Sequence, residues 1–364
     1  MWISESDRNH IENKYHRKDE PFNPLNRMAY HGIGYAEETG LSDAEILQGL
    51  EALRPRLTAL PRPVARAEAI RYVLEHERLY VSEHDYFVGL YSLNRLANTV
   101  TFTPWQQDAI AHTDEETTRT AALFNESGAV SNWTDYDHVV PDWQSLLELG
   151  FPGIPARVRA YRDRHRAAGT LTPEKAALFD AMETEYTAIL ALLSRMCRYA
   201  EAQKNAKAPA IARCLRALHD GPPTDIYEAM QLIFLYFLLS ESVDSYQVRS
   251  LGNSLDRSLY PFYVRDKAAG RYTEEEIRTF LAYFLLQWSA IGNYWGQPFY
   301  LGGTNPDGST KYNALSCAIL EVYDALDIYN PKIQLKIHKN TPERLLYQAL
   351  DMVRRKKCRS GLLL

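Results

Sequence analysis

The sequence predicts a predominantly helical α/β protein, and three observations carry that expectation. Apolar residues recur at helical spacing behind capping signals along much of the chain. Two runs, 226–239 and 273–291, are apolar nearly all round and must therefore be buried. Lys332-Ile333-Gln334-Leu335-Lys336-Ile337 alternates polar and apolar residues with the period of a half-buried strand. At 364 residues and 46% hydrophobic content, the chain can bury a substantial core as one large domain or two ordinary ones.

In chain order, residues 1–40 are polar, with Asn and Pro turn signals over 21–26, and are expected to run irregularly across the surface. Ser42-Asp43-Ala44-Glu45 is a capping box, and Ile46, Leu47, Leu50 and Leu53 follow at helical spacing. A second helix is expected over 61–78, with Val64, Ala67, Ile70, Val73 and Leu74 on one face and Pro63 tolerated in the first turn. Tyr80-Val81 and the segment 86–90 carry β-branched and aromatic residues near Gly89, which suits short extended pieces. Thr172-Pro173-Glu174 opens the longest helix, carried by Leu178, Met182, Tyr186, Leu190 and Leu193 and ending near 204–210. The buried helices open at Thr224-Asp225 and at Thr273, the latter followed by three glutamates that suit a helix amino end. Thr341-Pro342-Glu343 caps a last helix through Leu345, Leu346, Leu350 and Val353. No internal repeat is present, which disfavours a solenoid.

Several function classes drop out. The 41 basic and 46 acidic residues leave a formal charge of -5 and a pI near 6.1, so no overall basic field invites nucleic acid. The longest apolar runs, 232–239 and 280–286, are far short of the roughly 20 residues that cross a bilayer. Cys197, Cys214, Cys317 and Cys358 are widely spaced and form no CxxC pair, so neither a disulfide framework nor a metal site is expected. With a polar amino-terminal segment that lacks a secretory signal, the expectation is a cytoplasmic protein with no membrane partner. There is no phosphate loop, nucleophile elbow, HExxH or dinucleotide fingerprint.

Two polar clusters remain. Residues 132–143 gather aspartates, aromatics and His138, which can donate or accept a proton near neutral pH. A surface loop whose aspartates cap turns accounts for the same composition. Gln247, Arg249, Ser250 and Asn253 directly follow a buried helix. An arginine there can grip a carboxylate with two hydrogen bonds, or serve only a structural salt bridge. Trp288 is expected to be core, and Gly302-Gly303 to answer a backbone need, either close approach or positive φ. Cys358, among Lys356, Lys357 and Arg359, reads as an incidental thiol.

Taken together, three segments resemble the large domain of glycyl radical enzymes of the pyruvate formate-lyase-like family. They are Tyr246-Gln247-Val248-Arg249-Ser250-Leu251-Gly252-Asn253, Asp256-Arg257 before Tyr260-Pro261-Phe262-Tyr263, and Tyr300-Leu301-Gly302-Gly303 before Asp307-Gly308-Ser309. The resemblance runs from about Asp225 to Val353 and, more weakly, from about Tyr30 to Arg162. It implies an incomplete glycyl-radical-enzyme barrel, part of a ten-stranded α/β barrel wrapped by helices. On this reading 1–40 is an irregular amino-terminal segment, 41–364 is the N-terminal portion of a pyruvate formate-lyase-type domain, and the glycine radical domain is absent.

In that family one central loop carries a cysteine that becomes a thiyl radical, and a later loop carries the glycine that stores the radical. Arg359-Ser360-Gly361-Leu362 departs from the family's Arg-Val-x-Gly pattern and lies too early, as does Cys358. The resemblance therefore assigns no catalytic residue to this chain. It implies a substrate-binding set of His138, Gln247, Arg249, Ser250 and Asn253, with no bound cofactor and no metal. The implied partners are a small-molecule substrate, an S-adenosylmethionine-dependent iron–sulfur enzyme that installs the glycyl radical, and a second copy in a homodimer of the full-length parent.

The expected function is that of a piece, inactive alone, of a truncated, split or frameshifted enzyme of anaerobic metabolism. The parent would be formate C-acetyltransferase or a related carbon–carbon lyase, dehydratase or decarboxylase acting on a small oxygenated organic molecule. One alternative is an aromatic-rich helical carbohydrate hydrolase using Asp135 and Asp142 as acid and base. Another is a non-catalytic helical binding protein.

Overall fold

The computed structural model describes residues 2–17, 30–32, 36–90, 95–128, 140–243, 251–252, 254–291, 298–328, 330–356 and 362–363. The opening segment corrects the expectation of an irregular surface stretch. Helix α1 (Glu5–Glu12) starts where the Ser4 side chain accepts from the Asp7 amide, and β1 (Tyr15–Arg17) pairs antiparallel with β2 (Tyr30–Gly32). Ile3, Ile11 and Tyr15 are buried, so the segment contributes to the core although few of its residues are apolar.

The helices expected in the first third are present. The capping box at Ser42 and Glu45 opens α2 (Asp43–Thr58), which buries Ile46, Leu50 and Leu57. Helix α3 (Arg62–His76) buries Ile70, Val73 and Leu74 with the small residues Ala65, Ala67 and Ala69, and lies along α2. Strands β3 (Leu79–Tyr80) and β4 (Gly89–Leu90) are the short extended pieces expected there, and they pair antiparallel. Helices α4 (Phe102–Ala111) and α5 (Glu115–Ser127) bury no residue fully. Helix α6 (Trp143–Ala167) is kinked at Gly150 and packs against α7 (Pro173–Ala202). Leu178 and Met182, expected on the apolar face of α7, are exposed; apart from Ala181, the buried residues of that helix begin at Ala188. A separate helix, α8 (Ala208–Asp220), follows and buries Ile211, Cys214, Leu215 and Leu218.

The core centres on α9 (Ile226–Val243) and α11 (Glu274–Ile291), both buried nearly all round as their composition requires. Phe87, beside β4, sits edge-on to Tyr227 and Phe234 and 5.7 Å from Phe284. Trp288 is fully buried and packs edge-on against Phe234, Phe237 and Phe284, which is the core role its composition suggested.

The remaining elements are α10 (Leu255–Ala268), β5 (Phe299–Gly302), α12 (Ala314–Leu326), β6 (Ile333–Lys336), α13 (Glu343–Lys356) and β7 (Leu362–Leu363). Strands β5, β6 and β7 are parallel neighbours in that order, and Gly252 bridges Phe299 in the same sense, extending the sheet by one short segment. Helix α12 links β5 to β6 and α13 links β6 to β7, the crossover arrangement that parallel strands demand. Helix α13 buries Leu345, Ala349 and Met352, while Leu350 faces out. Among the described residues, no helix is long and apolar enough to cross a membrane.

Candidate functional site at the carboxyl ends of the parallel strands

The alternation in β6 decides which face of the sheet is available. Ile333 and Leu335, with Phe299 and Leu301 of β5, are buried on one face. Tyr300, Gln334 and Lys336 are half-buried on the other. The register sets Tyr300 beside Gln334 and Gly302 beside Lys336, and the Lys336 ammonium lies 4.9 Å from the centre of the Tyr300 ring. This face offers a phenol, an amide and an ammonium, groups that donate hydrogen bonds to oxygen-rich or anionic molecules.

At the carboxyl end of the sheet the chain turns from strand to helix three times, into α10, α12 and α13. Helix amino ends carry unpaired amides and partial positive charge, which again suits anionic or oxygen-rich groups. The buried carboxylate of Asp256 ties two of these turns together. Its Oδ2 accepts from the Gly302 amide at 3.0 Å and from the Ser316 hydroxyl at 2.5 Å, and its Oδ1 accepts from the Arg257 amide at 2.9 Å. Burial pushes this carboxyl above the ordinary carboxylate value, against the opposing pull of the hydrogen bonds from Ser316, Gly302 and Arg257. Ser316 also accepts from the Asn313 amide, and the Asn313 side chain accepts from the Leu315 and Ser316 amides, completing a capping box on α12.

Gly302 and Gly303 have φ of 73° and 113°, the backbone need inferred from the sequence. A Cβ on Gly302 would stand 2.2 Å from the Tyr312 ring, whose hydroxyl donates to the Lys336 carbonyl at 3.2 Å. The Tyr312 ring is thus clamped between the ends of β5 and β6, and Lys311 N donates back to Gly303 O at 2.9 Å.

The five residues singled out for substrate binding, His138, Gln247, Arg249, Ser250 and Asn253, lie outside the described residues, as do Asp135 and Cys358. The chain flanking the two polar clusters is described, and its two parts meet. Trp143, the first residue of α6, packs so closely on Gly252 that a Cβ there would stand 2.7 Å from the Trp143 Cδ1. Asp142 takes a structural part: its Oδ1 accepts from the Ser145 amide at 3.1 Å as the N-cap of α6. The Ser145 hydroxyl and amide hold this exposed carboxyl below its ordinary 3.8, which disfavours it as the proton donor of a hydrolase. Asp256 was not anticipated as the hub of the strand ends. Its signal was an aspartate on the apolar face set by Leu255, Leu259 and Phe262.

The three described cysteines lie in helices. Cys197 and Cys214 are buried in α7 and α8, and Cys317 is half-buried in α12. Burial raises the pKa of each thiol, so none resembles an exposed reactive thiolate. None occupies a loop at the strand ends, so no radical step is assigned to them. No group of His, Cys, Asp and Glu suited to a metal ion occurs among the described residues.

Comparison with known proteins bears on the family and the fold. Isethionate sulfite-lyase of Oleidesulfovibrio alaskensis is 22% identical over 271 residues, an alignment covering 67% of this chain and 32% of that protein. Trans-4-hydroxy-L-proline dehydratase of Clostridioides difficile is 25% identical over 151 residues, covering 36% and 19% respectively. The crystal structure of hydroxyproline dehydratase from Clostridioides difficile, with trans-4-hydroxy-L-proline bound, superposes with a TM-score of 0.69 at 17% identity, over 87% of this chain and 48% of that one. A glycyl radical enzyme from Archaeoglobus fulgidus superposes at 0.63 and 17% identity, over 88% and 51%. The chain thus spans about a third of the curated relatives and about half of the solved chains, and its fold is that of part of a glycyl radical enzyme barrel. The family model described as pyruvate formate lyase-like matches residues 105–359, which takes in α5 through α13 with the polar sheet face and the Asp256 hub, and the chain belongs to that family.

Proposed function

We propose that this chain supplies one wall of the substrate cavity of a glycyl radical lyase or dehydratase acting on a small hydroxylated molecule. The observation that carries the reading is the contact of Trp143 with Gly252, which pairs with Phe299 at the start of β5. It brings together the described flanks of the two polar clusters, beside a sheet face bearing Tyr300, Gln334 and Lys336. The names of the relatives support the substrate class: isethionate, sulfopropanediol and hydroxyproline are small, hydroxylated and acidic, and the solved neighbours include a 1,2-propanediol dehydratase and a glycerol dehydratase.

Within this reading Arg249 grips the acidic group of the substrate, and His138, Gln247, Ser250 and Asn253 hold neighbouring oxygens. The bond-breaking power comes from a glycyl radical installed by an S-adenosylmethionine-dependent iron–sulfur enzyme. The residues of this chain orient the substrate and exclude water. Formate C-acetyltransferase, carbon–carbon lyase and decarboxylase activities belong to the same proposal, as do a homodimeric parent and a cytoplasmic setting. The placement of the three described cysteines within helices supports the further expectation that the 364-residue chain is inactive alone.

The test uses the enzyme that carries this sequence, with binding followed by calorimetry. Arg249→Ala is expected to weaken isethionate roughly ten- to a hundredfold, the worth of hydrogen bonds to a charged group, while leaving glycerol affinity unchanged. An unchanged isethionate affinity would remove Arg249 from the cavity.

A further inference from the structure

On α10, Asp256 turns toward the sheet, and Arg257 beside it is exposed. Between that outer face of α10, helix α6 and the Pro222-Pro223 link from α8 to α9 lies a cavity of about 730 Å³, within the range that holds small molecules. The α10 wall presents Arg257, Pro261, Phe262 and Arg265, and α6 presents Leu147 and Glu148.

Two properties of this cavity point to its ligand. First, neither Arg257 nor Arg265 makes an ion pair or a side-chain hydrogen bond among the described residues. Nearby basic residues do: Lys267 pairs with Glu274, and Arg271 lies within 3.7 Å of Asp225 and 3.5 Å of Asp266. Glu148 already accepts from the Gln144 amide at 2.9 Å. Second, the two arginines are separated by eight positions along α10, about 12 Å of helix rise, so they stand at opposite ends of the cavity rather than clamping one anion. Proline and aromatic surfaces lie between them, and the Arg265 guanidinium sits 5.1 Å from the centre of the Phe262 ring, ready to stack on a further flat group.

We propose that this cavity binds an elongated organic dianion with a ring-containing apolar middle, each acidic end paired with one arginine. It is separate from the polar sheet face, because α10 stands between the two.

Calorimetry on the 364-residue chain with three aromatic acids tests the proposal. Biphenyl-4,4′-dicarboxylate matches the arginine spacing, benzene-1,4-dicarboxylate is too short, and biphenyl-4-carboxylate has one acidic end. The long diacid is expected to bind about tenfold more tightly than either control. Arg257→Ala and Arg265→Ala should each remove about that factor for the diacid, and neither should change the melting temperature, since both side chains are exposed. Arg265→Lys should restore only part of the affinity, because lysine keeps the charge and lacks the planar fork. Equal affinities for the three acids, affinities indifferent to both alanine variants, or no binding of the long diacid would each overturn the proposal.

Discussion

Gly302→Ala is expected to destabilise the protein by about 2–5 kcal/mol, from two costs that act together. The left-handed backbone at φ 73° costs an alanine about 1–2 kcal/mol. Its Cβ would also meet the Tyr312 ring at 2.2 Å, which is overpacking worth about 1–3 kcal/mol more. The ring cannot swing away without losing its hydrogen bond to the Lys336 carbonyl. Denaturant unfolding of Gly302→Ala, Tyr312→Ala and the double variant separates the costs. The double variant should lose less than the sum of the singles, since removing the ring relieves the clash but leaves the strain. A Gly302→Ala protein within about 0.5 kcal/mol of the original, the usual range for surface changes, would show that the strand end is not built as described.

Lys14→Met should cost about 3–5 kcal/mol, because it strands a buried carboxylate. Lys14 and Asp85 are both fully buried, with Nζ 3.1 Å from Oδ2. Asp85 also accepts from the Tyr80 hydroxyl at 3.0 Å, the Phe87 amide at 2.9 Å and the Gln287 side chain at 3.1 Å. Lys14 donates in addition to Gln287 and lies 4.5 Å from the centre of the Tyr80 ring. This cluster fastens the amino-terminal segment to the central helices. Replacing both charges with Met and Leu should recover part of the loss, as apolar substitutes for a buried pair often do. Less than about 1 kcal/mol lost in Lys14→Met would contradict the fastening role.

The same region gives stability a pH dependence. His10, which contacts Tyr80 and Ser82 and lies 5.0 Å from the His84 ring, is held below its ordinary 6.5 by burial first and then by the charges of His84 and Lys14. Asp85 and Asp7 oppose that shift. The unfolded chain takes up this proton more readily, so folding loses stability as the pH falls below 6.5. Burial raises the Asp7 carboxyl, but bonds from Tyr283, His84 and Lys207 outweigh it and leave Asp7 below its ordinary 3.8. Its contribution is therefore present above that value and lost beneath it.

How much of this was legible depended on the local signals each element carries. The capping box at Ser42, the helix cap at Thr273, the all-round apolarity of α9 and α11 and the alternation in β6 are short-range patterns, and each formed as expected. The longest helix was expected to end near 204–210 and ends at Ala202, and α8 was not anticipated, although Pro209 and the spacing of Ile211, Leu215 and Leu218 mark a fresh start. Helix α1 is short, with Ile11 as its one buried apolar residue, so its place in the core depends on partners distant in sequence, such as Asp85 and Gln287 near Lys14. The Asp256 hub was hidden for the same reason, since its partners Gly302 and Ser316 follow 46 and 60 residues later. The glycine pair was legible because left-handed backbone leaves its mark in residue type.

A crystal structure of the protein soaked with isethionate shows whether the polar sheet face holds substrate. The ligand is expected on the half-buried face of the parallel sheet, within hydrogen-bond reach of Tyr300, Gln334 or Lys336 of β5 and β6. Isethionate seated elsewhere on the molecule, with that face bare, would contradict that expectation.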